Sequence, residues 1–183
     1  MLRVTGGELG GRRFKAPTGN DTRPTSDKVR EAMFAILAGA VQVERAADLF
    51  AGSGALGMEA LSRGAEHCLF VERRGAALGV LRDNLKILDL EQRARVIKAD
   101  AASPAKKLLQ EGPVQLMLGD PPYDKGQIEK LVSLAGKHGF LAPGGWLVLE
   151  HSPRERPMPT GGLQLVDHRT YGQTELSFLI REP

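Results

Sequence analysis

A chain of 183 residues, 42% hydrophobic and 26% charged, suits one domain that needs no metal or disulfide to fold. No apolar run approaches the ~20 residues of a membrane span, and Met1-Leu2-Arg3 opens onto glycine and charge, so neither a membrane helix nor a secretory signal is expected. The net charge of +3 is uneven: Arg3, Arg12, Arg13, Lys15, Arg23, Lys28 and Arg30 face only Glu8, Asp21 and Asp27 within residues 1–30, a basic arm suited to a polyanion.

The arm itself comes first. "LRVTGGELGGRRFKAP" alternates apolar residues with glycine and charge and predicts a small β-hairpin. "TRPTSDKVREAMFAIL" then predicts a helix capped by Ser26, with Val29, Met33, Ile36 and Leu37 on one face. From residue 46 the rhythm changes. Strands "AADLF", "CLFVE", "RVIKAD", "VQLMLGD" and "GWLVLE" alternate with helices expected over 55–63, 75–90, 104–110 and 126–138. Such βαβ repetition gives a Rossmann-like, mostly parallel sheet with helices on both faces. "LQLVDHRTYGQTELSFLIRE" breaks the rhythm as a closing hairpin around Tyr171-Gly172-Gln173, which makes the last strand antiparallel. The expected division is residues 1–40 as a hairpin and helix extension and residues 41–183 as the sheet domain.

Cys68 is the one cysteine. It lies in an apolar run, which excludes a disulfide framework and points to the cytoplasm. The four histidines are scattered and form no HxxxH pair, so no metal is expected.

The first chemical motif is "DLFAGSGALG", residues 48–57. Gly52-x-Gly54-x-x-Gly57 follows a strand and opens a helix, the setting in which glycines let backbone approach a nucleotide ligand. Glu72, twenty residues after Gly52, is placed to accept hydrogen bonds from both hydroxyls of a ribose. The pattern fits a dinucleotide, whose pyrophosphate would use the helix N-terminus, or S-adenosylmethionine. Asp48 favours the second, since an acid there repels a pyrophosphate and pairs with an ammonium. Asp100, closing the third strand, is a candidate acceptor for an adenine amino group.

The second motif is "DPPY", Asp120 to Tyr123, at the end of the fourth strand. Ligands of open parallel sheets bind beyond the carboxyl ends of strands. An exocyclic amine of a nucleobase is planar and a poor nucleophile. Acceptors for both its N–H groups favour a more pyramidal, more reactive nitrogen. Asp120 offers one acceptor and the Pro121 carbonyl a second, held by the fixed φ of Pro121 and Pro122. Tyr123 offers a ring for stacking the base, worth roughly 1–3 kcal/mol.

Taken together, "GGELGGRRFKAP", "TRPTSDKVREAMFAIL", "LFAGSGALGMEALSRGA" and "DPPY" resemble the bacterial RsmD family of class I S-adenosylmethionine-dependent methyltransferases. The resemblance implies a seven-stranded sheet with an antiparallel last strand. It implies methylation of guanine N2 in small-subunit (16S) ribosomal RNA. The chain is too small to carry an extensive sequence reader of its own, so an assembling small subunit is the expected partner of a cytoplasmic monomer. It also implies a cofactor site at Asp48, Phe50, Gly52, Ser53, Gly54, Glu72, Arg73, Asp100 and Ala101, with Thr22 and Arg23 against the cofactor. Catalysis is expected at Asp120, Pro121, Pro122 and Tyr123, and phosphate contacts at Arg12, Arg13 and Lys15. DPPY does not distinguish adenine from guanine, so an adenine-N6 methyltransferase acting on RNA or DNA is the alternative. A glutamine-amide methyltransferase and a nicotinamide-dependent oxidoreductase are the further competitors. Arg154 to Leu163 carries no motif.

Overall fold

A computed structural model describes residues 1–16, 26–101, 106–123 and 125–183, with Lys106 and Lys107 described by backbone alone. Strand β1 (Leu2–Arg3) pairs antiparallel with β2 (Arg13–Phe14), giving the expected hairpin. Helix α1 (Asp27–Leu37) begins at Ser26, whose side chain accepts from the Val29 N–H, and Asp27 adds negative charge to its first turn.

The sheet domain then alternates as its apolar pattern demands. It runs β3 (Arg45–Leu49), α2 (Ala55–Ser62), β4 (His67–Glu72), α3 (Gly75–Leu88) and β5 (Ala94–Lys98). After these come α4 (Lys106–Leu109), β6 (Val114–Gly119), α5 (Ile128–Ala135) and β7 (Leu141–His151). The chain closes with β8 (Leu163–Tyr171) and β9 (Thr174–Arg181), the hairpin expected around Gly172. The seven strands lie in the order β5-β4-β3-β6-β7-β9-β8, and only β9 runs against its neighbours. The last strand in sequence is thus inserted between β7 and β8 rather than added at the edge. Among the described residues no helix is long and apolar enough to cross a membrane.

Two apolar layers sandwich the sheet. Phe70, Leu118 and Phe178 meet α1, α2 and α3 on one face, whereas Val71, Met117 and Leu149 meet α5 and Leu108 on the other. That alternation along each strand is the period-two pattern of a sheet buried on both sides. Val4, Phe14, Met33 and Phe34 join the first layer, so the N-terminal extension packs onto the same core as α2. Helix α5 is shorter than the expected 126–138. Gly126 sits at φ +60° and gives its N–H to Glu155 Oε1 rather than to a helix, while the Gly136 N–H bonds to Val132 and ends the last turn.

Candidate active site

Strand order reverses between β3 and β6, since β3 leads on to β4 and β5 while β6 leads on to β7. In open α/β sheets the loops leaving the strands diverge at such a switch point, and the crevice between them, at the carboxyl ends of the strands, is the general ligand position. Leu49 and Gly119 are register partners, so the glycine loop and DPPY leave the sheet side by side.

The glycine loop is built from three unlike glycines. A Cβ on Gly54 would fall 2.4 Å from Leu81 Cδ1, and one on Gly57 would fall 2.3 Å from Phe70 Cε1. Both therefore serve close packing of the helix start against strand and α3. A Cβ on Gly52 would meet nothing nearer than the Phe50 carbonyl, at 3.9 Å, so this is the glycine whose backbone faces open space. Phe50 itself adopts φ +67°, a conformation that bulky residues avoid and that concentrates at functional loops.

Asp48 has a task the sequence did not reveal. Gly54 caps α2 but has no side chain, and the Asp48 carboxylate accepts from the Gly57 N–H at 2.8 Å in its place. Burial pushes its pKa up to about 7, against the Gly57 hydrogen bond, and the nearby Glu72 charge adds to the rise. Glu72 is also buried. It accepts from the Gly52 N–H at 3.0 Å and the Arg74 N–H at 2.8 Å, which ties the end of β4 to the loop. Arg73 reaches Asp100 at 3.6 Å, so the exposed ends of β4 and β5 meet beside it, and Ala101 is buried next to Asp100. Ser53 is buried, and its carbonyl accepts from Asn84 Nδ2 at 3.0 Å.

On the other side of the crevice, Asp120 is half-buried and Pro121 buried, while Pro122 and Tyr123 are exposed. The Tyr123 hydroxyl lies 3.1 Å from Thr174 Oγ1 and 3.3 Å from Glu150 Oε1. Burial of the hydroxyl end, reinforced by the Glu150 and Asp120 charges, pushes the phenol up to about 12, so it is a neutral donor at physiological pH.

Thr22 and Arg23 lie outside the described residues. The arm is more engaged than expected. Arg12 donates to the Ile87 and Leu88 carbonyls at 2.7 and 3.2 Å and so caps the end of α3. Lys15 pairs with Asp83 at 2.6 Å, with both side chains about half exposed. Arg13 is exposed.

Asn84, Glu150 and Thr174 escaped the sequence reading. Asn84 binds both the Ser53 carbonyl and the backbone of Lys15, joining the loop to the arm. Its signal was a polar residue on the buried stripe Leu78, Leu81, Leu85 and Leu88.

Two further features lie outside the crevice. His151, His168 and Glu175 gather ligand atoms within 4.8 Å of one another. Arg156 donates to both Glu175 oxygens at 3.2 Å, and the Ser177 hydroxyl sits 2.8 and 3.3 Å from the two imidazoles. A guanidinium already at the carboxylate opposes a second cation there. A recess of about 380 Å³ lined by Arg45, His67, Arg93 and Arg95 lies at the amino ends of β3, β4 and β5, opposite the crevice. Arg45 donates to the Glu111 carbonyl and Arg93 to the Leu61 and Ala65 carbonyls, whereas Arg95 is exposed beside Glu111.

Comparison with known proteins agrees with this geometry. A family model described as "Conserved hypothetical protein 95" matches residues 2–180. The Bacillus subtilis protein named "Putative rRNA methyltransferase YlbH" is 41% identical over 176 residues, 94% of this chain and 95% of that protein. The Escherichia coli protein named "Ribosomal RNA small subunit methyltransferase D" is 38% identical over 161 residues, 87% of this chain and 79% of that protein. The solved structure "Putative methyltransferase yhhF from Escherichia coli" superposes with a TM-score of 0.85 at 34% identity, covering 99% of this chain and 98% of that one.

Proposed function

The chain belongs to the RsmD family of class I methyltransferases, and on that premise we propose that it methylates the exocyclic N2 of a guanine in small-subunit ribosomal RNA, with S-adenosylmethionine as donor. The observation that carries the reading is the paired exit of the glycine loop and DPPY from β3 and β6 at the switch point. When bound, S-adenosylmethionine supplies an electrophilic methyl group. The residues that would hold it are Gly52 by open backbone, Glu72 by its carboxylate, Asp48 by its second oxygen, and Phe50, Ser53, Gly54, Arg73, Asp100 and Ala101 around them. Thr22 and Arg23, outside the described residues, are proposed to contact it.

Asp120 and the Pro121 carbonyl accept the two N–H groups of the acceptor amine. These contacts strengthen as the nitrogen becomes pyramidal and acquires positive charge, so they act chiefly in the transition state. Tyr123 stacks the base once it has left its neighbours, which an unpaired RNA loop permits at low cost. Guanine is chosen over adenine on the family resemblance. The test is nucleoside analysis by mass spectrometry after incubation with small ribosomal particles from cells lacking the enzyme. N2-methylguanine in small-subunit RNA supports the reading, and N6-methyladenine or methyl groups only on protein overturns it.

Glu72→Ala is expected to weaken S-adenosylmethionine binding by about 1.5–3 kcal/mol, since hydrogen bonds to a charged group are lost. Calorimetry with unchanged affinity would remove Glu72 from the site.

Asp48 makes binding depend on pH. Its folded pKa of about 7 lies above the ordinary 3.8, so the folded state holds a proton that the unfolded chain has released. Stability contributed at low pH is therefore lost as pH rises through that window. An ammonium beside Asp48 favours its ionised form, so cofactor affinity should rise with pH and level off above about 7, changing roughly tenfold per unit below it. Asp48→Asn should flatten that profile. A wild-type affinity constant between pH 5 and 8 would confine Asp48 to capping α2.

Arg13 and Lys15 are proposed to contact phosphates, the Lys15–Asp83 pair being an exposed one that exchanges at little cost. Neutralising both should lower the log–log salt slope of RNA binding by about one unit per lost contact. An unchanged slope would make the arm a solvated surface.

A further inference from the structure

The loop that carries DPPY is held from outside itself. Its two prolines fix the backbone of Pro121 and Pro122, but nothing in that constraint fixes the tyrosine side chain that follows. The fixation comes from two strands far away in sequence. Glu150 lies near the carboxyl end of β7, and Thr174 opens β9 beside the closing hairpin turn. The Tyr123 hydroxyl donates its proton to Glu150, so its oxygen accepts from Thr174. Both positions of the hydroxyl are thereby used. Glu150 is 5% exposed and Tyr123 37%, so the anchor is buried while the ring stays accessible. Farther along the loop, Glu155 Oε1 takes the Gly126 N–H at 3.0 Å. The end of β7, the segment after it and the start of β9 thus grip the loop at both Tyr123 and Gly126.

Resting on the methyl-transfer reading, we propose that Glu150 and Thr174 are positioning residues that hold the Tyr123 ring where the acceptor base stacks. A ring anchored before the base arrives loses little freedom on stacking, whereas a free one must be ordered in every turnover. The closing hairpin, whose sequence carries no catalytic motif, thereby acts on the reaction through one hydroxyl.

The test uses the full chain carrying Thr174→Val, Tyr123→Phe, Glu150→Gln, Glu150→Leu or the Tyr123→Phe/Thr174→Val pair, with tritiated methyl transfer to unmethylated small ribosomal particles. Thr174→Val should lower kcat/KM about five- to tenfold, the scale of one lost hydrogen bond, and Tyr123→Phe, which loses the bonds to both Thr174 and Glu150, should lower it further, each with S-adenosylmethionine affinity unchanged. The double variant should be no slower than Tyr123→Phe, because both changes break the same contact. Glu150→Gln should retain more activity than Glu150→Leu, since its carbonyl still accepts. Wild-type rates in Thr174→Val, or penalties that multiply in the double variant, overturn the proposal. Amide hydrogen exchange of the free protein supplies a readout without substrate. Tyr123, Lys125 and Gly126 should exchange faster in Thr174→Val than in wild type, and equal exchange overturns the proposal as well. A wild-type protein with no transfer to ribosomal RNA would instead remove the substrate reading, and the exchange rates would still decide the role of Thr174.

Discussion

Asp120→Ala should slow methyl transfer about 10²–10³-fold, the scale for losing one pre-placed transition-state partner. The reason is differential binding. The amine lone pair is delocalised into the base until the methyl group approaches. Only then does the nitrogen gain positive charge and its N–H groups sharpen as donors. A fixed carboxylate is worth most at that moment, and S-adenosylmethionine affinity should stay within about twofold of wild type. Asp120→Asn separates charge from hydrogen bonding. Its carbonyl still accepts, so it should retain more activity than alanine while losing the electrostatic part. If folded Asn and Ala variants are equally inactive, an acceptor role for this side chain is wrong. Single-turnover rates on small ribosomal particles make the measurement, because they exclude product release.

The two motifs proposed to frame this reaction could be picked out because each is local. Gly52, Gly54 and Gly57 sit within one turn of chain, and Asp120 to Tyr123 are contiguous. The strand rhythm placed both at carboxyl ends, and Ser26 announced the start of α1. The supports of the site were not legible, for a common physical reason. Asn84, Glu150 and Thr174 are single polar residues whose partners lie 31, 27 and 51 positions away. Periodicity shows that such a residue faces inward but names no partner, because the partner is fixed by topology. Asp48 shows the same limit. Its position suggested a ligand contact, while the capping of α2 appeared only once β3 and the helix start were packed together. Both ends of α5 were misjudged for a local reason: Gly126, at positive φ, precedes its start, and Gly136 follows its last apolar residue, Ala135.

Glu59→Ala should destabilise the protein by about 3–5 kcal/mol, the largest stability effect expected of any single change outside the apolar core. Glu59 sits in α2, whose remaining residues are almost all apolar or small and buried. Its carboxylate takes the Thr5 N–H at 2.8 Å, the Thr5 hydroxyl at 2.7 Å, Arg63 Nε at 2.8 Å and Arg30 Nε at 3.3 Å. The side chains of Arg30 and Glu59 are fully buried, and Arg30 also reaches the Arg3 carbonyl and Asp27. One carboxylate therefore locks β1, α1 and α2 together. Its removal leaves a guanidinium in an apolar layer with less than the charge it needs, which is far costlier than losing an exposed pair. Urea unfolding should show the midpoint shifted at nearly constant slope, and the melting temperature should fall by roughly 6–20 °C for a chain of this size. Arg30→Met in the Glu59→Ala background should recover part of the loss, since an apolar side chain of similar length removes the stranded charge. A Glu59→Ala variant within about 1 kcal/mol of wild type, or a double variant no more stable than the single, would show that the arm is held by its apolar contacts through Phe14, Met33 and Phe34 and its hydrogen bonds to α3 rather than by Glu59.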